Sequence, residues 1–330
     1  MTLDGREVLG PDQFKKTVGT VRLPVDLSPG AHTITVRLAG APGTYLRLSF
    51  SGTIQLSDLV AARAGHTATL LPDGRVLVAG GRGASGALGT FEVFDPRTFA
   101  LSALDGVFMS PRESHSATLM PDARVLFAKG RDAGGVIGSA ESCQTSGILC
   151  SPLAHEGSAR AGQTATLLPD GRVLYLGGVD ASGAPLSTAE VFDPTADPLS
   201  DDTYDSSSGK FTLLPQTLAQ ARSGHTATLL PDGRILIVGG FGPEGALGSG
   251  ELFDPASGGS TPLEFGLAIP RTGHTATLRP DRTVLIAGGV SRGVALRSLE
   301  VFDPASRRFF AISDPLLVAR AGHSATLLPH

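Results

Sequence analysis

The sequence has little of what would indicate a nucleic-acid, membrane or redox function. It contains no tryptophan, three tyrosines and two cysteines, and its formal charge is only −4, from 27 Lys and Arg against 31 Asp and Glu. Like charges form no block, so nothing predicts a surface for nucleic acid or for an anionic membrane. The longest apolar runs, such as Arg75-Val-Leu-Val-Ala-Gly80, fall far short of the ~18 residues that a membrane span needs. No transmembrane helix is predicted.

Two signals for cellular location oppose each other. Residues 1 to 10 have no positively charged stretch followed by an apolar one, so no secretory signal is visible, which taken alone favours the cytoplasm. Cys143 and Cys150, however, are separated by six residues in a segment that reads as two adjacent strands. This spacing suits a hairpin disulfide, and hence an oxidising compartment, if the Cα atoms approach within ~7 Å. Two unlinked buried thiols are an equal alternative.

The residues that are abundant predict an all-β fold. The 330 residues include 43 Gly and 23 Pro, and 41% of the chain is hydrophobic. Without a collagen period, this composition describes many short strands joined by tight turns rather than disorder. The chain is also long enough to bury a large core.

An internal repeat dominates the sequence. The block that runs from Arg63 to Gly81, Arg-Ala-Gly-His-Thr-Ala-Thr-Leu-Leu-Pro-Asp-Gly-Arg-Val-Leu-Val-Ala-Gly-Gly, returns five more times, and successive blocks begin 49, 48, 62, 49 and 49 residues apart. Each block reads as two strands joined by a Pro-Asp-Gly hairpin turn. A third strand ends in Asp-Pro, as in Phe91-Glu-Val-Phe-Asp-Pro96, and a fourth follows around a Phe. Four strands per unit, apolar on both faces, predict sheets that stack against a neighbour on each side.

These motifs resemble the kelch repeat, in particular the short form found in bacterial secreted and envelope proteins, and the period near 50 is the kelch spacing. The resemblance implies a β-propeller over residues 59 to 330, with five four-stranded blades and the first strand of a sixth, incomplete at the C-terminus. The sequence departs from the pattern in blade 2, where Lys129 replaces the first glycine of the double glycine and Cys143-Gln144 replaces Phe-Asp. We therefore expect the outer strands of blade 2 to be irregular.

Residues 1 to 58 carry no kelch signature. Three strands are predicted there, Val21 to Leu27, Thr33 to Leu38 and Tyr45 to Phe50, separated by Ser-Pro-Gly and Ala-Pro-Gly turns. We interpret the segment as the remnant of a small sandwich module, which would make the chain a fragment, or as strands that close the ring.

Several polar residues recur in every unit, and recurrence favours a structural role. For the histidines we predict hydrogen bonds within or between blades, because unit 3 has Gln163, which can replace His as a donor or acceptor but not as a metal ligand. The repeated glutamates, and the arginines that follow the hairpin turn of each unit, are predicted to be paired charges on adjacent strands or neighbouring blades. The histidines are His66, His115, His225, His274 and His323; the glutamates are Glu92, Glu141, Glu190, Glu251 and Glu300; the arginines are Arg75, Arg124, Arg172 and Arg234, with Thr283 in unit 5.

A further arginine precedes the innermost strand of each unit, and equivalent positions in a propeller form a ring around one mouth of the central channel. The functional interpretation is that these arginines bind an acidic peptide or an anionic glycan. The alternative is that each pairs with a carboxylate or caps backbone carbonyls. The candidate ligand-binding residues are Arg63, Arg112, Arg160, Arg222, Arg271 and Arg320.

Enzymatic alternatives find little support in the residues. Copper radical oxidases combine kelch propellers with sandwich domains, but their site needs a Cys-bonded Tyr, a second Tyr and two His, whereas Tyr45, Tyr175 and Tyr204 occur in unrelated contexts. An epimerase or other carbohydrate-active enzyme would need an off-repeat cluster, and His155 alone is off-repeat in the propeller. The acidic insert from Thr195 to Lys210 matches no calcium motif and is predicted to be a solvated loop. We predict a non-catalytic module that binds a protein, peptide or glycan, without metal or cofactor, outside the cytoplasm.

Overall fold

A computed structural model describes residues 2–3, 6–7, 34–35, 59–107, 110–196 and 209–327. Over these residues the chain forms strands and turns and contains no helix. Five four-stranded antiparallel sheets follow one another along the chain, each with its strands in sequence order. No helix long and apolar enough to cross a membrane occurs in this described part of the chain.

The five sheets are the blades predicted from the repeat, and the innermost strand of each is given first. Blade 1 consists of Thr67–Leu70, Val76–Ala79, Thr90–Asp95 and Ala100–Val107; blade 2 of Ser116–Leu119, Arg124–Ala128, Ala140–Gln144 and Cys150–Pro152; blade 3 of Thr164–Leu167, Val173–Leu176, Thr188–Asp193 and Lys210–Thr217; blade 4 of Thr226–Leu229, Ile235–Val238, Gly250–Phe253 and Ser260–Pro262; blade 5 of Thr275–Leu278, Val284–Ala287, Leu299–Asp303 and Arg308–Ile312.

The Pro-Asp-Gly turn sets the register of each hairpin. In blade 1, Gly74 has φ +85°, a conformation that glycine adopts without steric cost, and the Asp73 carboxylate accepts a hydrogen bond from the backbone N–H of Arg75 at 3.0 Å. The first two strands then pair from Leu70 with Val76 to Thr67 with Ala79. The hairpins predicted from the sequence are confirmed.

The blades are held together by apolar clusters between neighbours. Between blades 4 and 5, for example, Leu236, Val238 and Leu252 of blade 4 pack against Val284, Ile286 and Phe302 of blade 5. Among the described residues four such clusters join blades 1 to 2, 2 to 3, 3 to 4 and 4 to 5. On the face of blade 1 that points away from blade 2, Leu70 is 63% exposed.

Blade 2 corrects one expectation. Its outer strands pair regularly, with Cys143 directly opposite Cys150, and the two residues form a disulfide with a Cα–Cα distance of 4.0 Å. The same register positions hold Phe192 opposite Phe211 in blade 3, with ring centroids 5.0 Å apart. The disulfide therefore occupies the place of a cross-strand aromatic pair, and the strand pairing tolerates the exchange.

The predicted strand of a sixth unit is not formed. Residues 323 to 327 have no strand structure, because the described residues contain no second strand for them to pair with. The sixth unit is nevertheless seated against blade 5, where the N–H of Gly289 donates to the carbonyl of Arg320 at 2.8 Å.

Most of residues 1 to 58 lies outside the described residues. The short strands Thr2–Leu3, Arg6–Glu7 and Ile34–Thr35 form one small sheet. The predicted strands at Val21 to Leu27 and Tyr45 to Phe50 lie outside the described residues. The domain boundary at residue 58 stays a prediction, as does the structure of most of the insert from Thr195 to Lys210.

Candidate functional site

In blades 1, 2, 4 and 5 the arginine before the innermost strand forms a close, buried ion pair within its own blade. In unit 5, Arg271 Nη2 lies 2.6 Å from Glu300 Oε1, and neither side chain is more than 3% exposed. Arg271 Nη1 also donates to the carbonyls of Gly288 at 3.0 Å and Ser298 at 3.2 Å. The stretch of chain just before each innermost strand, which contains this arginine, is called the lead-in segment. Arg271 thus ties the lead-in segment of unit 5 to the ends of the second and third strands. The equivalent pairs are Arg63–Glu92 at 2.6 Å, Arg112–Glu141 at 2.5 Å and Arg222–Glu251 at 2.7 Å.

Each repeated glutamate accepts hydrogen bonds from more than one donor, as Glu300 does from the N–H of Ala268 and from Arg271. Burial would raise the pKa of Glu92, but the N–H groups of Val60 and Ala61 and the guanidinium of Arg63 lower it overall. Burial lowers the pKa of Arg271, against the opposing effect of Glu300, yet arginine stays protonated in proteins. Arg63 and Arg271 are therefore buried cations, each held by a glutamate of its own blade.

These positions correct the interpretation of the arginines as a ligand-binding ring. The side chains of Arg63, Arg112, Arg160 and Arg271 are 0% exposed and that of Arg222 is 1% exposed, so a ligand at the channel mouth has no access to them. Arg320 is exposed, and its Nε donates to the Val318 carbonyl at 3.4 Å. The alternative weighed from the sequence, pairing with carboxylates and backbone carbonyls, describes their contacts.

The second set of repeated arginines pairs with aspartates rather than with the repeated glutamates. Arg75 Nε lies 2.7 Å from Asp73 Oδ2 within the same hairpin turn, and Arg124, Arg172 and Arg234 repeat the contact. In unit 5 the Thr283 hydroxyl donates to Asp281 instead, at 2.6 Å. The prediction of paired charges was right in kind but wrong in partner.

The repeated histidines join neighbouring blades. His225 Nε2 is hydrogen-bonded to Thr164 Oγ1 of the preceding blade at 3.1 Å, and burial, with the nearby charge of Arg222, lowers its pKa to about 3. The histidine is therefore neutral at physiological pH. Equivalent bonds join Thr67 to His115, Thr226 to His274 and Thr275 to His323. In unit 3, Gln163 donates instead to the Ala128 carbonyl of blade 2, at 3.5 Å.

Backbone groups form a second link between blades at the same end of the innermost strands. The N–H of Gly224 donates to the carbonyl of Gly162 at 3.2 Å, and the N–H of Gly273 donates to the carbonyl of Gly224 at 3.1 Å. The series extends from Gly65 through Ser114 to Gly322, all with φ between +52° and +64°. Contacts that hold the blades together therefore account for the residues that recur in every unit at this end of the innermost strands.

Residues that differ from blade to blade lie beside this end. After each double glycine the chain forms a short two-stranded ribbon whose first residue bridges to the lead-in segment, as Arg82 does to Ala64. We call these five bridging positions the ribbon surface: Arg82, Arg131, Val179, Phe241 and Val290. The ribbons are Arg82–Gly83 with Gly86–Ala87, Arg131–Asp132 with Gly135–Val136, Phe241–Gly242 with Gly245–Ala246 and Val290–Ser291 with Val294–Ala295, and in blade 3 Val179 bridges Pro185.

The ribbon surface has two chemically different parts. On blades 1 and 2 it is charged, and Arg82 Nη1 lies 3.0 Å from Glu113 Oε1 while the Arg82 side chain remains 65% exposed. On blades 4 and 5 it is apolar, with Phe241 49% exposed. Val294, in the second strand of the last ribbon, lies outside the ribbon surface but adds an apolar side chain that is 65% exposed. The sequence motifs do not single out these residues, because the motifs consist of residues that recur from unit to unit and these positions vary. The available signal was the variation directly after each double glycine.

No residues among those described assemble into an evident catalytic or metal centre. No group of three or more His, Cys, Asp or Glu able to hold a metal occurs in the described ranges. Tyr175 is fully buried between blades 2 and 3, and burial raises the pKa of its hydroxyl. Tyr45 and Tyr204 lie outside the described residues. His155 precedes the lead-in segment of unit 3 and is partly buried.

Comparison with known proteins supports the fold and leaves the activity open. No protein-family model matches the chain, and no curated protein matches it. A solved structure named "Structure of YjhT", a propeller of the kelch type, aligns with a TM-score of 0.61 and 14% sequence identity, over 76% of this chain and 84% of that chain. Such low identity establishes the fold alone. The five blades and this likeness show a β-propeller fold, and the repeat resembles the kelch repeat in sequence.

Proposed function

We propose that this chain is a non-catalytic binding module whose ligand surface is the ribbon surface. One observation carries the proposal: the polar residues that repeat are engaged in holding the blades, whereas Arg82, Arg131, Phe241 and Val290 occupy equivalent positions with different chemistry. A site for one ligand must break the symmetry of the repeat, since identical positions around a ring offer one contact five times. A propeller fold commonly binds proteins, so the fold permits the role without specifying the ligand.

The chemistry of the surface favours a protein or peptide ligand with an apolar anchor and an acidic group. Aromatic side chains, phenylalanine included, and arginines are enriched in protein interfaces relative to the rest of the surface. Phe241 offers an aromatic side chain, with Val290 and Val294 on the adjacent blade, and Arg82 offers a charged group on blade 1. A glycan is the second ligand class that the test must include.

We also propose that the module works outside the cytoplasm. The Cys143–Cys150 disulfide supports this location, because such bonds persist in oxidising compartments and are rare in the cytosol.

The test is a peptide and glycan array followed by titration of the best ligand against single variants. Phe241→Ala should weaken binding by at least tenfold, and Arg82→Ala by about three- to tenfold, each without a change in melting temperature. The matched controls are Phe310→Ala, an exposed phenylalanine on the outer strand of blade 5, and Arg97→Ala, an exposed arginine in an outer turn of blade 1. Equal losses in the control variants, or turnover of a bound sugar, would contradict the proposal.

A further inference from the structure

Lys129 is a buried cation at a position where the other blades have glycine. It occupies the place of Gly80, Gly177, Gly239 and Gly288 in the repeat, adopts the same left-handed backbone with φ +65°, and its side chain is 0% exposed. A lysine is almost never fully buried unless it is paired. The residue therefore needs an acceptor at the interface between blades 2 and 3.

That acceptor is the glutamate of the next blade. Lys129 Nζ donates to Glu190 Oε2 at 2.5 Å and to the Ser158 carbonyl at 3.1 Å, and it lies 4.4 Å from the centre of the Phe211 ring. Gly157 leaves the space, since a Cβ there would collide with Lys129 Nζ. The other units carry a larger residue at this position, namely Val60, Met109, Ala219 or Ala268.

Lys129 takes both acceptors that Arg160 would otherwise use. In the other four complete units the arginine Nε donates to the carbonyl two residues earlier, as Arg271 does to Ile269 at 3.2 Å. In unit 3 that carbonyl belongs to Ser158 and accepts from Lys129, and Arg160 Nη2 is 3.8 Å from Glu190 Oε2. Arg160 Nη1 keeps its bonds to the carbonyls of Gly177 and Thr188, so the guanidinium is already positioned beside the carboxylate.

We propose that Glu190 is a two-position acceptor, held by Lys129 across the blade interface when the lysine is protonated and by Arg160 within its own blade when the lysine is neutral. Both arrangements occur in this molecule: the first in unit 3, the second in the other complete units, where no lysine is present. The proton on Lys129 decides whether blades 2 and 3 share an ion pair. The exchange takes place directly before the ribbon that begins at Arg131.

The surroundings of Lys129 support a titration in an accessible pH range. The charged and titratable groups around Nζ are Glu190 on the third strand of blade 3, Arg160 on the lead-in segment and Tyr175 on the second strand. Burial lowers the pKa of Lys129 to about 8, Glu190 opposes the shift and the charge of Arg160 adds to it. When Lys129 loses its proton, Arg160 remains as the one buried cation beside Glu190, which is the one-to-one arrangement of the other complete units.

NMR of the full chain labelled with ¹³C at lysine Cε and ¹⁵N at arginine Nε tests the exchange directly. The sequence contains four lysines, so Lys129→Met assigns the buried signal and the exposed Lys210 serves as the internal control. We expect Lys129 to titrate near pH 8 and the Arg160 Nε signal to shift with the same midpoint. In Lys129→Gly, which restores the residue of the repeat, Arg160 should show no such transition.

The stability of the same variants provides an independent measurement. The folded chain releases the Lys129 proton at lower pH than the unfolded chain, whose lysine has a pKa of 10.5. Hence the stability of the wild type relative to Lys129→Met should rise as the pH increases from about 8 to 10.5. A Lys129 midpoint at or above that of Lys210, or an Arg160 signal unchanged through the Lys129 transition, would overturn the proposal.

Discussion

The interface between blades 2 and 3 and that between blades 4 and 5 solve one packing problem with different side chains. Blades 4 and 5 are joined by the repeat's own residues, with Thr226 bonded to His274 at 3.0 Å. Between blades 2 and 3, Gln163 reaches the Ala128 carbonyl and Lys129 reaches Glu190. The departures come in matched sets, because Lys129 requires Gly157. At this interface, the change from glycine to Lys129 is accompanied by a change in the residue that it contacts.

The largest expected effect separates two arginines at the same repeat position. Arg271→Ala removes the charged partner of Glu300 and should cost about 3–5 kcal/mol, the usual loss when one member of a buried ion pair is deleted. Arg160→Ala should cost roughly 1–3 kcal/mol less, because Lys129 still holds Glu190 and a hydrogen bond to a charged group is worth about that much. Urea unfolding at pH 7 measures both.

A surface pair provides the control for this comparison. Arg234→Ala removes a partly exposed contact to Asp232 and should change stability by no more than about 1 kcal/mol. Equal losses for Arg160→Ala and Arg271→Ala would show that the two interfaces do not differ as described.

The disulfide gives an effect of intermediate size, confined to blade 2. Replacing Cys143 and Cys150 by alanine should lower stability by about 2 kcal/mol, since the bond closes a short loop and loop entropy grows slowly with length. A reductant should lower the melting temperature of the wild type and leave that of the cysteine-free variant unchanged. If reductant acts equally on both proteins, the bond makes no contribution. A mass measurement with and without reductant establishes that it forms.

The smallest effect concerns the histidines between standard blades. His225 stays neutral in the folded chain, with a pKa of about 3, whereas the unfolded chain takes up a proton near the ordinary value of 6.5. Stability should therefore fall as the pH drops from about 6.5 towards 3. His225→Gln should cost only about 1 kcal/mol at pH 7, because Gln can keep a hydrogen bond to Thr164.

Urea midpoints at pH 4, 5 and 7 measure this dependence. The slope between pH 7 and 4 should be smaller in His225→Gln than in the wild type, and a slope that is the same in both proteins would count against the buried neutral histidine. The comparison is informative because unit 3 already carries Gln163 at the same position.

The sequence predicted the blades but not the surface that distinguishes them. The hairpin at Pro72-Asp73-Gly74 and the strand that includes Glu92 follow from local turn chemistry and alternation, which recur unchanged in each unit. The ion-pair partner of each charged residue could not be predicted from the repeat, because residues equivalent to Arg63, Arg75 and Glu92 recur together in the first four units. In the structure the buried Arg63 pairs with Glu92, and the partly exposed Arg75 pairs with Asp73. Phe241 and Arg82 belong to no repeated motif, so their placement at equivalent positions of two ribbons required the fold.

The threonine–histidine bonds give the assembly of the blades a direction. Each histidine reaches back to a threonine that precedes it in the chain, as His225 does to Thr164, and never forward. The ribosome releases the chain from its N-terminus, and early segments fold before later ones are made. In each of these four bonds the threonine is therefore synthesised before the histidine that contacts it, an order compatible with blades that join one after another during translation.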